Sequence, residues 1–410
     1  MKTMFMTSSA IPVTPEERRR LRPVSRDNDA FQRMLRGFEQ LAIWADELGL
    51  DAFGSTEHHF QYEGGESIPN NLLLYAKLAA LTERITFVPM SVVLTTHDPL
   101  RVAEDLALFS HMFPGRLAVA FARGFMTRWV QTLGQTEHAI ADSPDSDAAN
   151  RAKFDEYLSV IQEAWTQDSI HHDGPSYQVP FPATGIPNWP LADWTREYGA
   201  PGDIDENGTI HRIGTTPRPL AIPEIFIPST RSEQTIIDSG THGRNLFVAA
   251  GGKDRILEVA HLYQESAQKA GHDLKLGQKF GVVSKIVLGE TFEEAFDLAV
   301  ETAGFWYQNF FQKFWFNEGY RVDTDPPERP LRFPDARALT QRMLDAGQLA
   351  CGTAAQVREQ LHDTVSLYGE GQLDWLIWES WTQSMPFDDW EHVQRYQLET
   401  YAKNVMPEFQ

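Results

Sequence analysis

Residues 85–122 read ITFVPMSVVLTTHDPLRVAEDLALFSHMFPGRLAVAFA, and this stretch decides the fold. Ile85 to Leu94 is a near-continuous apolar run of strand length, the pattern of a parallel strand buried on both faces. Pro99 to Phe113 reads as a helix with proline in its first turn, where the missing N–H costs nothing. Pro114-Gly115 ends that helix, and Arg116 to Ala122 is a second strand. Strand, helix and strand in direct succession form the repeating unit of a parallel sheet.

The unit recurs on either side. Upstream, Thr3 to Val13 can form an opening strand. Asp29 to Leu48 is a helix, because Phe31, Met34, Leu35, Phe38, Leu41 and Ala45 recur at three- and four-residue steps. Gly49 stops it, since glycine readily takes the left-handed conformation. Ala52 to Ser55 is a short strand and Asn70 to Thr82 a strongly apolar helix. Downstream of residue 122 comes helix Arg151 to Gln167. Strands then follow at Glu224 to Pro228, Asn245 to Ala250, Phe280 to Leu288 and Leu373 to Trp378. Helices alternate with them at Ser232 to Ser239, Asp254 to Ala270, Thr291 to Phe316 and Trp390 to Asn404. About eight strands predict an α/β fold, a closed (β/α)8 TIM barrel in one domain over residues 1–410. Two Pro-rich stretches, about 168–223 and 317–334, break the rhythm and are expected as loop insertions at the C-terminal face.

Composition narrows the partners. The chain has 410 residues, 42% hydrophobic and 23% charged, with a formal net charge of −21. Such a surface repels nucleic acid and anionic lipid, so neither is expected as a partner. A phosphate-bearing cofactor stays possible where an arginine and backbone N–H groups meet it locally. Cys351 is the lone cysteine, so no intrachain disulfide or cysteine-based metal cluster is expected. Met1 to Pro12 lacks a signal-peptide pattern and no run of ~18 apolar residues occurs. A cytoplasmic enzyme is the expectation.

The chemistry-bearing signal is Glu57-His58-His59-Phe60, just past the second strand. Barrel active sites sit where strands end, and histidine exchanges protons near neutral pH. Adjacent histidines on an extended segment face opposite ways and do not readily chelate one metal. No HExxH spacing is present, and no metal is expected. One histidine could equally pack while the other is solvated. His171-His172-Asp173 reads as a solvated loop rather than a metal site. The fingerprints of a Rossmann nucleotide site, a P-loop and a serine-hydrolase elbow are missing.

Glu57-His58-His59-Phe60 also resembles a segment of the bacterial luciferase-like flavin-dependent monooxygenases. Further stretches resemble that family in the same order. They are Thr95 to Arg101, Pro114 to Leu117 with Ala122-Arg123-Gly124-Phe125, Pro223 to Gly240, and Cys351 to Val357. The resemblance spans residues 3 to about 408, leaving out Asp168 to Pro219. It implies a monooxygenase that uses reduced FMN as co-substrate with oxygen, through a C4a-peroxyflavin. His58 then matches the catalytic histidine, with His59 beside it. Arg123 matches the arginine at the FMN phosphate, and Ser229, Thr230, Arg231 and Ser232 match the phosphate turn. Met90-Ser91 matches a position where the family carries a non-proline cis peptide next to the flavin. Ala122 stands where some luciferases have a reactive cysteine. Pro228 stands where an acidic residue often precedes the phosphate-turn serine.

With no nucleotide fingerprint of its own, the chain is expected to take reduced FMN from a separate NAD(P)H:flavin reductase. An apolar small molecule, an aldehyde or ketone, is the expected substrate, with His59, Trp306, Phe310 and Trp378 expected around it. A homodimer is expected through helices Asn70 to Thr82 and Pro99 to Phe113. Two alternatives stand beside this reading. One is a deazaflavin-dependent hydride-transfer enzyme on the same barrel; the other is a flavin-binding protein without catalysis.

Overall fold

The computed structural model describes every residue except 139, 141, 230, 323, 327 and 370–372. The chain divides into two compact units. The first comprises residues 1–91, 118–121 and 224–410; the second comprises residues 92–117 and 122–223.

Eight parallel strands close into a barrel. They are β1 (Lys2–Thr7), β2 (Ala52–Ser55), β3 (Thr86–Val93), β4 (Ala118–Ala122), β5 (Glu224–Pro228), β6 (Asn245–Val248), β7 (Phe280–Leu288) and β8 (Trp375–Ser380). Each pairs with its neighbour in sequence order, and β8 returns to β1 with Met4 opposite Ile377. A further strand, Leu349–Gly352, lies along the later half of β7, with Leu349 opposite Lys285.

The period-two alternation of strands sorts the side chains. Met4, Ala52, Val88, Met90, Phe226, Phe247, Val283, Trp375 and Ile377 belong to the cluster that fills the barrel. The intervening residues face the surrounding helices. Phe5 meets Phe53 at 6.0 Å and Trp378 at 5.0 Å. The helix Asn28–Glu47 packs Phe38 on Phe53, and the helix Trp390–Asn404 packs Tyr401 on Trp378. Toward the C-terminal end of the barrel the inward positions turn polar. Glu379 on β8 stands opposite Lys285 on β7.

Local chemistry sets the helix starts. Asp27 caps Asn28–Glu47, its side chain accepting from the Ala30 amide, and Asn70 caps Asn71–Ala80 in the same way through Leu73. Each satisfies an amide that the first turn leaves without a partner. Gly49 follows the first of these helices at φ +82°, as expected. Helix Asn71–Ala80 leaves Leu73 exposed, and helix Pro99–Met112 leaves Leu108 and Met112 exposed. No helix among the described residues is long and apolar enough to cross a membrane.

Several boundaries differ from the sequence reading. The opening strand ends at Thr7, because Ser8 to Val13 leave the sheet to line the loops beyond it. The helix expected from Arg151 begins at Pro144, where Ser143 caps it. The long helix expected over Thr291 to Phe316 is broken. Phe292–Ala299 is α-helical, Val300–Gly304 is a π-helical turn and Phe305–Asn309 is α-helical again. Gly304 approaches helix Ala336–Asp345 so closely that an added Cβ would lie 2.2 Å from the Thr340 hydroxyl. Trp315 then takes a left-handed conformation, φ +68°, between the short 3-10 helices Phe311–Phe314 and Phe316–Tyr320. In the second unit, the 168–223 stretch carries a two-stranded hairpin, His172–Asp173 with Gln178–Val179, and a helix, Ala192–Tyr198.

Candidate active site

β2 ends at Ser55, and the next residues carry the expected chemistry. His58 is buried, and its Nδ1 lies 2.6 Å from Oε2 of Glu66, also buried. The other oxygen of Glu66 accepts from the Thr56 hydroxyl at 2.6 Å. Both Glu66 oxygens thus face groups from the segment that carries His58. The neighbouring His59 turns to Glu57, Nε2 to Oε1 3.1 Å.

The loop that brings Glu66 back to His58 is held through its backbone. His58 N–H donates to Ile68 O, Ser67 N–H to Ser9 O, and Ile11 N–H to Gly64 O. Gly64 has φ +85°, and an added Cβ would lie 2.4 Å from both Arg18 Nη1 and Val24 Cγ1. Glycine is therefore required there on two counts. Arg18 holds the same loop, donating from Nη1 to Glu63 O at 2.6 Å and from Nη2 to Ile11 O at 3.2 Å. Burial pulls its guanidinium down to about 10.

A second buried polar group occupies the C-terminal end of β7 and β8. Lys285 Nζ is 2.8 Å from Glu379 Oε2 and 4.3 Å from the centre of the Tyr307 ring. Tyr307 donates its hydroxyl to Glu379, 3.1 Å from each oxygen, and Trp381 donates its indole N–H to Oε1 at 2.9 Å. Burial alone would lower the Lys285 pKa, but the Glu379 charge outweighs it and holds the ammonium above the usual lysine range. Burial first, and the Glu379 charge second, push the Tyr307 phenol far up, with Glu66 contributing in the same direction. Tyr307 thus senses both carboxylates and stays a hydrogen-bond donor. Around this group pack Trp306, Phe311 and Trp381, with Trp306 and Trp381 5.6 Å apart. The Arg18 guanidinium sits 4.9 Å from the Trp306 ring centre.

The remaining expected residues fall in several places. The Met90–Ser91 peptide is cis, as expected, with Met90 inside the barrel. Ser229 follows β5 and donates its hydroxyl to Ser232 O at 3.4 Å. Ser232 caps the nine-residue helix Glu233–Thr241 by accepting from the Thr235 amide. Arg231 donates to Trp315 O at 3.0 Å. Thr230 lies outside the described residues. Arg123 belongs to the second unit, where it pairs with Asp147, Nη1 to Oδ1 2.6 Å. Trp306 is buried in the aromatic cluster and Phe310 borders it half-buried. Trp378 corrects the expectation of a pocket residue. It faces outward from the barrel against Phe5 and Tyr401 and donates its indole N–H to Ile286 O. Strand parity explains this, since the inward positions of β8 are 375, 377 and 379.

Glu66, Lys285, Tyr307 and Glu379 were not singled out from the sequence as site residues. Lys285 did leave a signal, because it interrupts the apolar strand FGVVSKIVL. Glu379 left a weaker one, in WLIWES. Glu66 sits in the polar, glycine-rich run QYEGGES and left none.

A family model described as luciferase-like monooxygenase matches residues 21–371. The 3,6-diketocamphane 1,6-monooxygenase of Pseudomonas putida is 23% identical over 309 residues, 71% of this chain and 75% of that protein. The solved oxygenating constituent of the 3,6-diketocamphane monooxygenase from the same organism, in complex with FMN, superposes with a TM-score of 0.73. It is 20% identical, over 100% of this chain and 99% of that one. An F420-dependent secondary alcohol dehydrogenase superposes with a TM-score of 0.63 at 13% identity, over 100% and 99% of the two chains. The structural likenesses bear on the barrel alone. With its model matched over most of the sequence, the chain belongs to the luciferase-like monooxygenase family.

Proposed function

We propose that this chain is an FMN-dependent oxygenase that receives reduced FMN from a separate NAD(P)H:flavin reductase and oxygenates an apolar carbonyl compound. The observation that carries the reading is His58, buried beside Glu66 just past the end of β2. That is where a barrel places its reacting groups. When bound, the reduced flavin supplies two electrons, so that one oxygen atom of O2 enters the substrate and the other leaves as water.

The groups present suit such a cofactor. Ser229, Ser232 and Arg231 give two hydroxyls and a guanidinium at the opening of helix Glu233–Thr241, a donor set fitted to a phosphate. Ser229 donates to Ser232 O, Ser232 accepts from Thr235, and Arg231 donates to Trp315 O with the Glu318 charge nearby, contacts with which a phosphate would compete. Thr230 and Arg123 are proposed as further phosphate contacts, and Met90 and Ser91 as flavin contacts, on the family resemblance alone. His58 would hold and move a proton, and His59 with Trp306 and Phe310 would border the substrate and exclude water. A homodimer and a cytoplasmic setting complete the proposal.

The test is loading with reduced FMN under anaerobic conditions, followed by mixing with oxygen and a panel of apolar ketones and aldehydes. One oxygen consumed for each product formed is expected. F420-dependent relatives make the deazaflavin reading the specific competitor. Tight binding of reduced F420 with hydride transfer, and no oxygenated product with FMN, would overturn the proposal.

A further inference from the structure

We propose that Glu66 is a positioning residue that fixes the tautomer of His58, placing its proton on Nδ1 and its basic lone pair on Nε2. This rests on the reading of His58 as the proton-handling group. Neutral imidazole carries one proton, and the nitrogen that faces an ionised carboxylate keeps it. Nδ1 faces Glu66 Oε2 at 2.6 Å, and both side chains are buried. The carboxylate is itself oriented, because Thr56 donates to its other oxygen at 2.6 Å.

The loop leaves Glu66 little freedom to do otherwise. Main-chain bonds hold residues on either side of it, from Gly64 to Ile11, Ser67 to Ser9 and Ile68 to His58. Ser25 adds a hydroxyl bond to Gln61 O at 2.9 Å and lies 2.8 Å from the Ser67 hydroxyl. A floppy surface glutamate would pay side-chain entropy to hold such a contact, whereas this one is already immobilised. The neighbouring pair cannot substitute, since His59 faces Glu57 through Nε2 rather than Nδ1. Two adjacent histidines are thus turned to carboxylates through opposite nitrogens, so their proton placements are predicted to differ.

Histidine 15N NMR of the full-length protein, without flavin or substrate, reads this directly at about pH 9, where histidine is ordinarily neutral. The His58 signals are identified by their loss in His58→Asn. The expected wild-type signature is a protonated Nδ1 and a lone-pair Nε2. Glu66→Ala removes the carboxylate charge that lies beside Nδ1 and should shift the tautomer ratio toward protonated Nε2 by roughly tenfold, the effect of a buried charge held closer to one ring nitrogen than to the other. Glu66→Gln keeps the side chain's shape but removes its charge, and should shift the ratio in the same direction by less. A wild-type His58 protonated on Nε2 would overturn the proposal by itself, whether or not the variants fold. So would an unchanged ratio in folded Glu66→Ala. Because neither cofactor nor turnover enters the measurement, failure of the oxygenase reading would leave this result intact, and the converse holds.

Discussion

Two histidine–glutamate pairs in this molecule use the same chemistry for different work. In the second unit, His172 Nε2 meets Glu156 Oε1 at 3.1 Å, and Glu156 also accepts from the Ser176 and Tyr177 amides. Those donors all belong to the hairpin that follows the helix Pro144–Thr166, so the carboxylate pins a turn. In the first unit, Glu66 accepts no such set of turn amides in the bonds described. It faces Thr56 and His58 past the end of a barrel strand, and its charge reaches Tyr307. A carboxylate spent on backbone amides builds structure. One spent on an imidazole and a hydroxyl orients groups that can react.

The largest expected effect separates the pairs by function. His58→Asn should lower turnover by about 10²–10⁴-fold, the range for removal of a general acid or base. His172→Asn should leave the rate within a few-fold of the parent. Steady-state kinetics of both variants with a defined substrate checks this, and equal losses would break the comparison.

The next effect concerns stability at the first unit's buried charges. Lys285→Met leaves Glu379 buried without its cation, and should cost about 3–5 kcal/mol in urea unfolding. Lys285→Met combined with Glu379→Met should recover much of that loss, because a buried ion pair replaced by apolar side chains is often neutral. A double variant as unstable as the single one would show that Tyr307 and Trp381 depend on the Glu379 carboxylate.

A smaller effect is expected in the hairpin. Glu156→Ala removes the acceptor of two amides and should cost about 1–2 kcal/mol, seen as faster hydrogen exchange at Ser176 and Tyr177. Exchange around His58 should not change.

The smallest effect is a pH dependence. Burial would raise the Glu156 carboxyl, but His172, Ser176 and Tyr177 outweigh it and hold it below the usual glutamate range. A folded pKa below the unfolded one contributes stability above the unfolded value of about 4.3, and that stability disappears as pH falls through the folded value. Hairpin protection should therefore decline on acidification below about pH 4, and Glu156→Gln should flatten the dependence.

Much of the fold was legible because its signals are local. Ala52–Ser55, Glu224–Pro228, Phe280–Leu288 and Trp390–Asn404 occur where apolar runs and periodicity predict them. Asp98 and Ser232 cap their helices, whose starts fell within a residue of expectation. The helix over Thr291 to Phe316 misled because its aromatics satisfy helical spacing all round. Nothing in that spacing reveals the close approach of Gly304 to Thr340 or the left-handed conformation of Trp315. Trp378 misled for a related reason, since composition gives an aromatic residue but not the side of the strand it takes.

The sequence by itself determined an alternating β/α chain of about eight strands, the number that suits a barrel, and the histidine beyond the second strand, because periodicity and composition act over a few residues. Only the tertiary structure decided which charges meet. Glu66 reaches His58 through a loop folded back on itself, and Lys285 reaches Glu379 across 94 positions because neighbouring strands share a register. Pairing at such separations is fixed by strand order, loop path and the inward or outward parity of each residue, which no local pattern records.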